Sequence, residues 1–494
     1  MDLKAIVRNL REKGIGETIR IANTKKKYRP MFDQWKAECA EHTAALKSLM
    51  SEGKDDEAAA YAAEHFPVLI DKGITILSLT HSNFKLEVSD ILKKQEDLFN
   101  AKFPKQFKKY RKDIRENTIK KQIPAIYAKE AVKPIEKKVI FMENGISPSA
   151  AATELAHVMI AQKKYKVIYT GLQIRMVSVA EYYYNAREFI RDMATAKAVF
   201  ISTANDLLSQ FDVRPETKII QLWHGVGAFK KVGYSTIGNS HFGKSEKARE
   251  EYNQYRNYTY VTVAGEEQIW VFEDAFRISR DTGVYKPIGI ARTDVFFQED
   301  YLKKQRNMLN KAFPACKNKK LILYAPTFRG SVAKAKAPDK LDIRLLAKSL
   351  PDDYVLLIKH HGLCKDIPPI PADLKNKFAF DMNEKEVLTI EGLLGVADIL
   401  ITDYSSVGFE FAIREKPMIF FAYDLDDYID KRGMYFDYED ITPGPICSTT
   451  EEIADYICNL DERFDIEEVR AFRKKYVDAC DGHAIERTIA LLEE

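Results

Sequence analysis

The chain has no CxxC pair: its six cysteines, Cys39, Cys316, Cys364, Cys447, Cys458 and Cys480, are scattered along 494 residues. That spacing argues against a zinc site or a disulfide framework and for a reducing compartment. No apolar run approaches the ~18–20 residues that a membrane-spanning helix needs. The opening stretch, MDLKAIVRNLREKGIG, lacks the apolar centre of a secretory signal. These absences point to a cytoplasmic protein, expected to be peripheral on the inner face of the cell membrane. Net charge is scarce as well. The 76 Lys and Arg against 73 Asp and Glu leave a formal +3, so the whole molecule is no polyanion binder, and nucleic acid is not expected as a partner. The glycine motifs of nicotinamide enzymes and P-loop NTPases are missing, as is the G-x-S-x-G elbow. No His and carboxylate cluster has metal-ligand spacing; no tightly bound cofactor is expected, and nothing in the sequence indicates Mg²⁺. Internal repeats and low-complexity tracts are also absent.

What remains is a globular composition, 46% hydrophobic and 30% charged, on a chain long enough for two or three domains. Residues 1–130 read as a helical extension, rich in Ala, Glu, Lys and Leu. Trp35, Cys39, Leu46, Leu49 and Met50 fall near one helical face, with a break at Ser51-Glu52-Gly53. Residues 93–121 combine eleven Lys and Arg with four Asp and Glu, interleaved with Leu98, Phe99, Phe103, Phe107, Tyr110 and Ile114; Pro104 argues against one continuous helix. Such a segment suits an anionic membrane surface. The plainer reading is a helical hairpin with a solvated charged face.

From residue 131 the texture changes to alternating strands and helices. Strand-like runs occur at 138–142, 167–169, 198–201, 219–222, 259–263 and 287–290. Ser147-Pro148 marks a helix start between the first two, a helix expected to run through Ile160. A helical linker at 299–313 leads to a second series at 321–324, 354–358, 398–402 and 418–422, and residues 450–494 are again helical. This alternation predicts two parallel α/β domains, 131–298 and 299–494, with a cleft between two sets of strand ends.

The chemistry-bearing residues sit just after the apolar runs. In KIIQLWHGVGAFKKVG (218–233), His224 follows a buried-strand pattern, and Gly225 and Gly227 open the backbone around it. An imidazole at the carboxyl edge of a sheet stands where ligands bind in open α/β folds, which makes His224 the candidate base. The second half offers Thr327 and Arg329, then His360 and His361, then Asp403, Ser405 and Ser406, then Asp424 and Asp427, and farther on Arg432. Strand alternation sends His360 and His361 to opposite faces, so one of the two is expected to be functional. Arginine, lysine, serine hydroxyls and amides at a helix start suit a phosphate ester better than a peptide or a redox centre. His42, His65, His81, His157, His241 and His483 have no such context and are read as structural.

Five ordered motifs carry a resemblance. They are Leu222-Trp223-His224-Gly225 with Phe229-Lys230-Lys231-Val232-Gly233; Tyr324-Ala325-Pro326-Thr327-Phe328-Arg329; Ile358-Lys359-His360-His361; Thr402-Asp403-Tyr404-Ser405-Ser406; and Arg432-Gly433-Met434-Tyr435-Phe436-Asp437 with Pro443-Gly444-Pro445. Over about residues 138–490 the sequence resembles the CDP-glycerol glycerophosphotransferases, the teichoic acid polymerases and primases of bacterial cell walls. The resemblance implies a GT-B architecture: two Rossmann-like domains facing across a cleft, with a final helix crossing back to the first. It implies transfer of glycerol phosphate from CDP-glycerol to a hydroxyl of a lipid-linked polyol phosphate or glycan acceptor, releasing CMP. His224 would then be the base, and His361, if the pattern is Lys-x-His, would contact the donor pyrophosphate. Ser405, Ser406 and Arg432 would be phosphate ligands, and Asp403 would orient their loop. Thr327, Arg329 and His360 would line the same cleft, and Lys230 and Lys231 would meet the acceptor phosphate. Val226 stands where many members have Thr, and Glu410 where Asp is common. CDP-ribitol as donor, a CMP-sugar GT-B glycosyltransferase and a non-catalytic membrane-surface scaffold are the competing expectations.

Overall fold

The computed structural model describes residues 3–80, 84–144, 149–172, 177–239, 245–331, 334–364, 366–385 and 387–494, the backbone alone for 3–22 and 150. His81, His241 and the Ser147-Pro148 helix start lie outside the described residues. Contacts divide the chain into two units.

The first unit is helical. It contains α1 (Leu3–Ser51), α2 (Asp55–Thr80), α3 (Lys85–Lys102), α4 (Pro104–Asn117) and α5 (Ile123–Glu130). The expected breaks occur where the chemistry demands them. Gly53 takes a left-handed φ of 73° between α1 and α2. Pro104 occupies the first turn of α4, where its missing N–H has no carbonyl to lose. Trp35, Cys39 and Leu46 are buried, as the spacing predicts. Phe99, Phe103 and Phe107 are buried too, and the Phe99 and Phe107 rings meet edge to face at 5.6 Å. The aromatics of the basic segment therefore serve the helical core, and its lysines are what solvent meets. Residues 170–195 also belong to this unit. Ala180 and Tyr184, from the helix Val179–Met193, join the cluster around Phe32, Trp35 and Leu69. No described helix is long and apolar enough to cross a membrane.

The second unit holds two six-stranded sheets. The first comprises β1 (Glu136–Glu143), β2 (Lys166–Gly171), β3 (Ala196–Ile201), β4 (Lys218–Gln221), β5 (Tyr260–Thr262) and β6 (Tyr285–Lys286), in the order β2-β1-β3-β4-β5-β6. The second comprises β7 (Lys320–Tyr324), β8 (Tyr354–Ile358), β9 (Ala379–Asp381), β10 (Ile399–Thr402), β11 (Met418–Phe421) and β12 (Ile446–Cys447), in the order β12-β11-β10-β7-β8-β9. Pairing is parallel from β1 through β3, β4, β5 and β6 and throughout the second sheet. Every side chain of β8 and β11 is buried, which is why these strands are continuous apolar runs rather than alternating ones.

The strand expected at 287–290 is displaced: β6 ends at Lys286, because Pro287 has no N–H to give the ladder. Strands β9 and β12, three and two residues long, were too short to leave a periodic signal. The final helix Ala484–Ala490 does return to the first sheet. Ile485, Leu491 and Leu492 pack with Val139, Phe141, Phe200 and Ile220. Asp294 anchors this return by accepting from the N–H groups of Ala484 (3.1 Å) and Ile485 (2.8 Å).

Candidate active site

Strand order reverses between β1 and β3 in the first sheet and between β7 and β10 in the second. Ligands of open α/β sheets bind at the carboxyl ends of strands beside such reversals. His224 lies just past β4, next to β3. Trp223, immediately before it, has a φ of 58°, a left-handed conformation that costs a bulky residue about 1–3 kcal/mol. Tertiary contacts hold it there. Its ring sits edge-on to Phe272 (5.2 Å) and Phe276 (5.9 Å), and its N–H donates to Gln221 Oε1 at 2.8 Å. The kink lies two residues past the end of β4, and His224 after it is exposed.

The His224 ring is fixed by one bond. Its Nδ1 lies 3.2 Å from the Ser202 carbonyl, which can only accept, so Nδ1 carries the proton and Nε2 keeps its lone pair. The side chain is open to solvent yet ringed by protein, as on a cleft floor. This crowding lowers its pKa below the ordinary value, assisted by the charges of Arg292 and Lys230 and opposed by the Ser202 bond. Near pH 7 the imidazole is therefore neutral, with Nε2 able to take a proton.

His361 has the opposite tautomer. The Leu363 N–H donates to its Nδ1 at 3.1 Å, leaving the proton on Nε2. Its ring meets Phe328 edge-on at 5.1 Å, and burial together with Lys230 lowers its pKa. His361 is exposed and His360 buried, as alternation at a strand end requires. His360 stands edge-on to Tyr324 at 6.1 Å, and its backbone exchanges two hydrogen bonds with the Asn383 amide. The structure thus assigns His360 to the interior rather than to the cleft surface.

The serine loop lies against Gly225, the residue after His224. A Cβ on Gly225 would stand 3.0 Å from Ser406 Oγ. Ser405 and Ser406 lead into the helix Val407–Ala412 and are partly exposed. Two residues on, a Cβ at Gly227 would lie 2.7 Å from the Phe409 ring, which is itself fully buried. Gly227→Ala is therefore expected to destabilise the protein by about 1–3 kcal/mol, read as a lowered urea midpoint.

Thr327, Arg329 and Asp403 form a scaffold. Asp403 accepts from the N–H of Thr327 (2.9 Å) and of Tyr404 (2.7 Å) through Oδ1, and from Arg329 Nη1 (2.9 Å) through Oδ2. Arg329 also grips Asp424 with Nε (2.6 Å) and Nη2 (2.9 Å) and donates to the Thr327 hydroxyl at 3.1 Å. The rings of Tyr404, Tyr423 and Tyr428 surround its guanidinium within 5.4 Å. With these donors engaged, Arg329 positions the ends of β7, β10 and β11 more directly than it contacts a ligand. The network borders a cavity of about 300 Å³ lined also by Phe328, Asp427, Lys431 and Arg432.

The lysine and arginine motifs meet each other. Lys231 N–H donates to the Gly433 carbonyl at 3.1 Å, Tyr435 N–H to the Phe229 carbonyl at 3.0 Å, and Lys230 bridges Met434 in antiparallel fashion. This strap brings Lys230 into the field of Arg432, Arg329 and Asp403. Burial first, then the two arginines, push its pKa down to about 8, against the pull of Asp403. Lys230 also acts on both His224 and His361, so it lies between the two histidines electrostatically. Lys231 is exposed and outside that cluster.

Residues 126–494 match the family model described as CDP-glycerol:poly(glycerophosphate) glycerophosphotransferase. The chain belongs to that family. It is 38% identical over 298 residues to the teichoic acid poly(ribitol-phosphate) polymerase of Bacillus spizizenii, a match covering 60% of this chain and 46% of that protein. It is 33% identical over 303 residues to the teichoic acid glycerol-phosphate primase of Bacillus subtilis, covering 61% of this chain and 74% of the primase. The matched region thus spans about half the length of the Bacillus spizizenii polymerase. Among solved structures, the wall teichoic acid polymerase TagF superposes with a TM-score of 0.63 at 24% identity, covering 78% of this chain and 96% of TagF, a likeness of fold. Its GT-B-like arrangement matches the two parallel sheets seen here.

Sequence reasoning on this glycerophosphotransferase-family chain missed Arg292. It is buried, donates to the His224 carbonyl at 2.7 Å and to Glu410 Oε2 at 3.1 Å, and is ion-paired with Glu391. The available signal was a charged pair, Arg292 and Asp294, directly after the apolar run that ends the first series. Asp424 was noted, but its hold on Arg329 joins residues 95 positions apart in sequence and leaves no local pattern.

Proposed function

We propose that this protein transfers a polyol phosphate from a CDP-linked donor to a hydroxyl of a lipid-linked polyol phosphate or glycan acceptor in cell-wall polymer synthesis, releasing CMP. The observation that carries this reading is the pair of opposite tautomers. His224 offers a bare Nε2 as base, and His361 offers an Nε2–H as donor to an anion. The acceptor hydroxyl gives its proton to His224 Nε2 as its oxygen attacks the β-phosphorus of the donor. The bond from that phosphorus to the bridging oxygen breaks, and CMP departs with the electron pair. His361, Lys230, Arg432 and the Ser405-Ser406 loop meet the charge on the transferring group. Catalysis of this kind rests on positioning and electrostatics.

The family description favours CDP-glycerol as donor. CDP-ribitol is the second reading, favoured by the 38% identity to a ribitol-phosphate polymerase. The deciding experiment incubates the protein and a lipid-linked acceptor with CDP-glycerol, CDP-ribitol or CMP-sialic acid and follows CMP release. Release from one CDP-polyol alone fixes the donor. Release from the CMP-sugar alone replaces the reading with glycosyl transfer, and release from none leaves the scaffold.

A further inference from the structure

Two clamps act on His224, one on its ring and one on its backbone. The Ser202 carbonyl fixes the ring. The His224 carbonyl is held by Arg292, whose other arm reaches Glu410 in the helix Val407–Ala412 of the second domain. That helix begins directly after the serine loop facing Gly225. Arg292 is 8% exposed, Glu391 4% and Glu410 1%, so the bridge is sealed from water. A buried guanidinium between two carboxylates is a costly device for mere stability, since apolar replacements often hold a fold as well or better. What this bridge supplies is direction: a rigid fork with one arm on the base and the other on the donor-side helix.

We propose that Arg292 is a positioning residue for the transfer, carrying the placement of the donor-side serine loop through Glu410 to the backbone of His224. The role rests on the function proposed above, but its physical content is separate: the bridge sets where His224 stands and how readily it takes a proton. The groups facing His224 are Arg292 and Lys230; those facing Arg292 are Glu391, Glu410 and Tyr301. Burial pushes Glu410 up to about 7 although Arg292 pulls it down, so Arg292 meets one carboxylate whose charge changes near neutrality.

Two variants separate charge from geometry. Arg292→Lys keeps the charge and loses the fork. It is expected to lower kcat by about 10-fold or more, as for one misdirected reacting group, with the acid limb of the pH–rate profile unmoved. Arg292→Met combined with Glu391→Gln and Glu410→Gln removes the bridge without leaving either buried carboxylate charged and unpaired. It is expected to lower kcat similarly and to raise the His224 pKa, moving the acid limb to higher pH. CMP affinity, measured by calorimetry, should stay within about twofold in both. The His224 pKa is read directly by NMR titration of the imidazole, with the signal assigned by its loss in His224→Gln. This readout stands even when no donor is turned over, so failure of the functional reading and failure of the bridge remain distinct. An unchanged His224 titration in the triple variant overturns the proposal. So does a loss of kcat that tracks an equal loss of CMP affinity and of melting temperature, which would mark Arg292 as structural only.

Discussion

His224→Ala is expected to lower turnover by about 10²–10⁴-fold, the usual contribution of one positioned acid–base group, while leaving CMP binding nearly intact. The separation follows from placement. His224 stands just beyond β4 of the first sheet, whereas the serine loop, Arg432 and His361 follow strands of the second. Removing the imidazole takes away the acceptor-side proton sink and touches no donor-side group. The wild-type pH dependence should carry the same signature. Burial, Arg292 and Lys230 hold the His224 pKa below its ordinary value of 6.5. The protonated ring cannot accept, so activity falls as pH drops through that pKa. Stopped assays of CMP release across pH 5 to 9 test both points. Normal turnover by His224→Ala, or a parallel collapse of CMP affinity, would assign the base elsewhere.

The sheets were legible because several of their strands are buried on both faces and so appear as unbroken apolar runs, as in the fully buried β8 and β11. His224 and the Ser405-Ser406 loop were legible for a related reason: polar residues that follow such a run stand at its carboxyl edge. What stayed hidden depends on contacts distant in sequence. Thr327 and Arg329 have the composition of a phosphate site, and only the folded chain shows Asp403 and Asp424 engaging their donors. The two adjacent histidines could not be ranked until the Asn383 bonds placed His360 inside. Lys230 and Lys231 look equivalent as a dipeptide. Their difference arises from the strap with residues 433–435, which turns Lys230 into the cationic cluster and leaves Lys231 in solvent.

That asymmetry sets the second large expectation. Lys230→Met should lower turnover by about 10²–10³-fold, the usual loss on removing one preorganised group that meets transition-state charge. Lys231→Met should change it little. The crowded setting of Lys230 gives an independent check in the pH profile of kcat/KM. Its pKa of about 8 means that the ammonium is present below that pH and lost as pH rises through it. The free enzyme should then show an alkaline limb near pH 8 beside the acid limb of His224. Lys230→Arg keeps the charge at all working pH values, so this limb should vanish even if the rate is lower. Lys230→Met should shift the acid limb as well. Lys230 depresses both His224 and His361, so its loss lets their pKa values rise and moves the limb to higher pH. A bound pyrophosphate stabilises the ammonium, which places the alkaline limb of kcat above that of kcat/KM. An alkaline limb that survives in Lys230→Arg belongs to another group and removes Lys230 from the centre of the site.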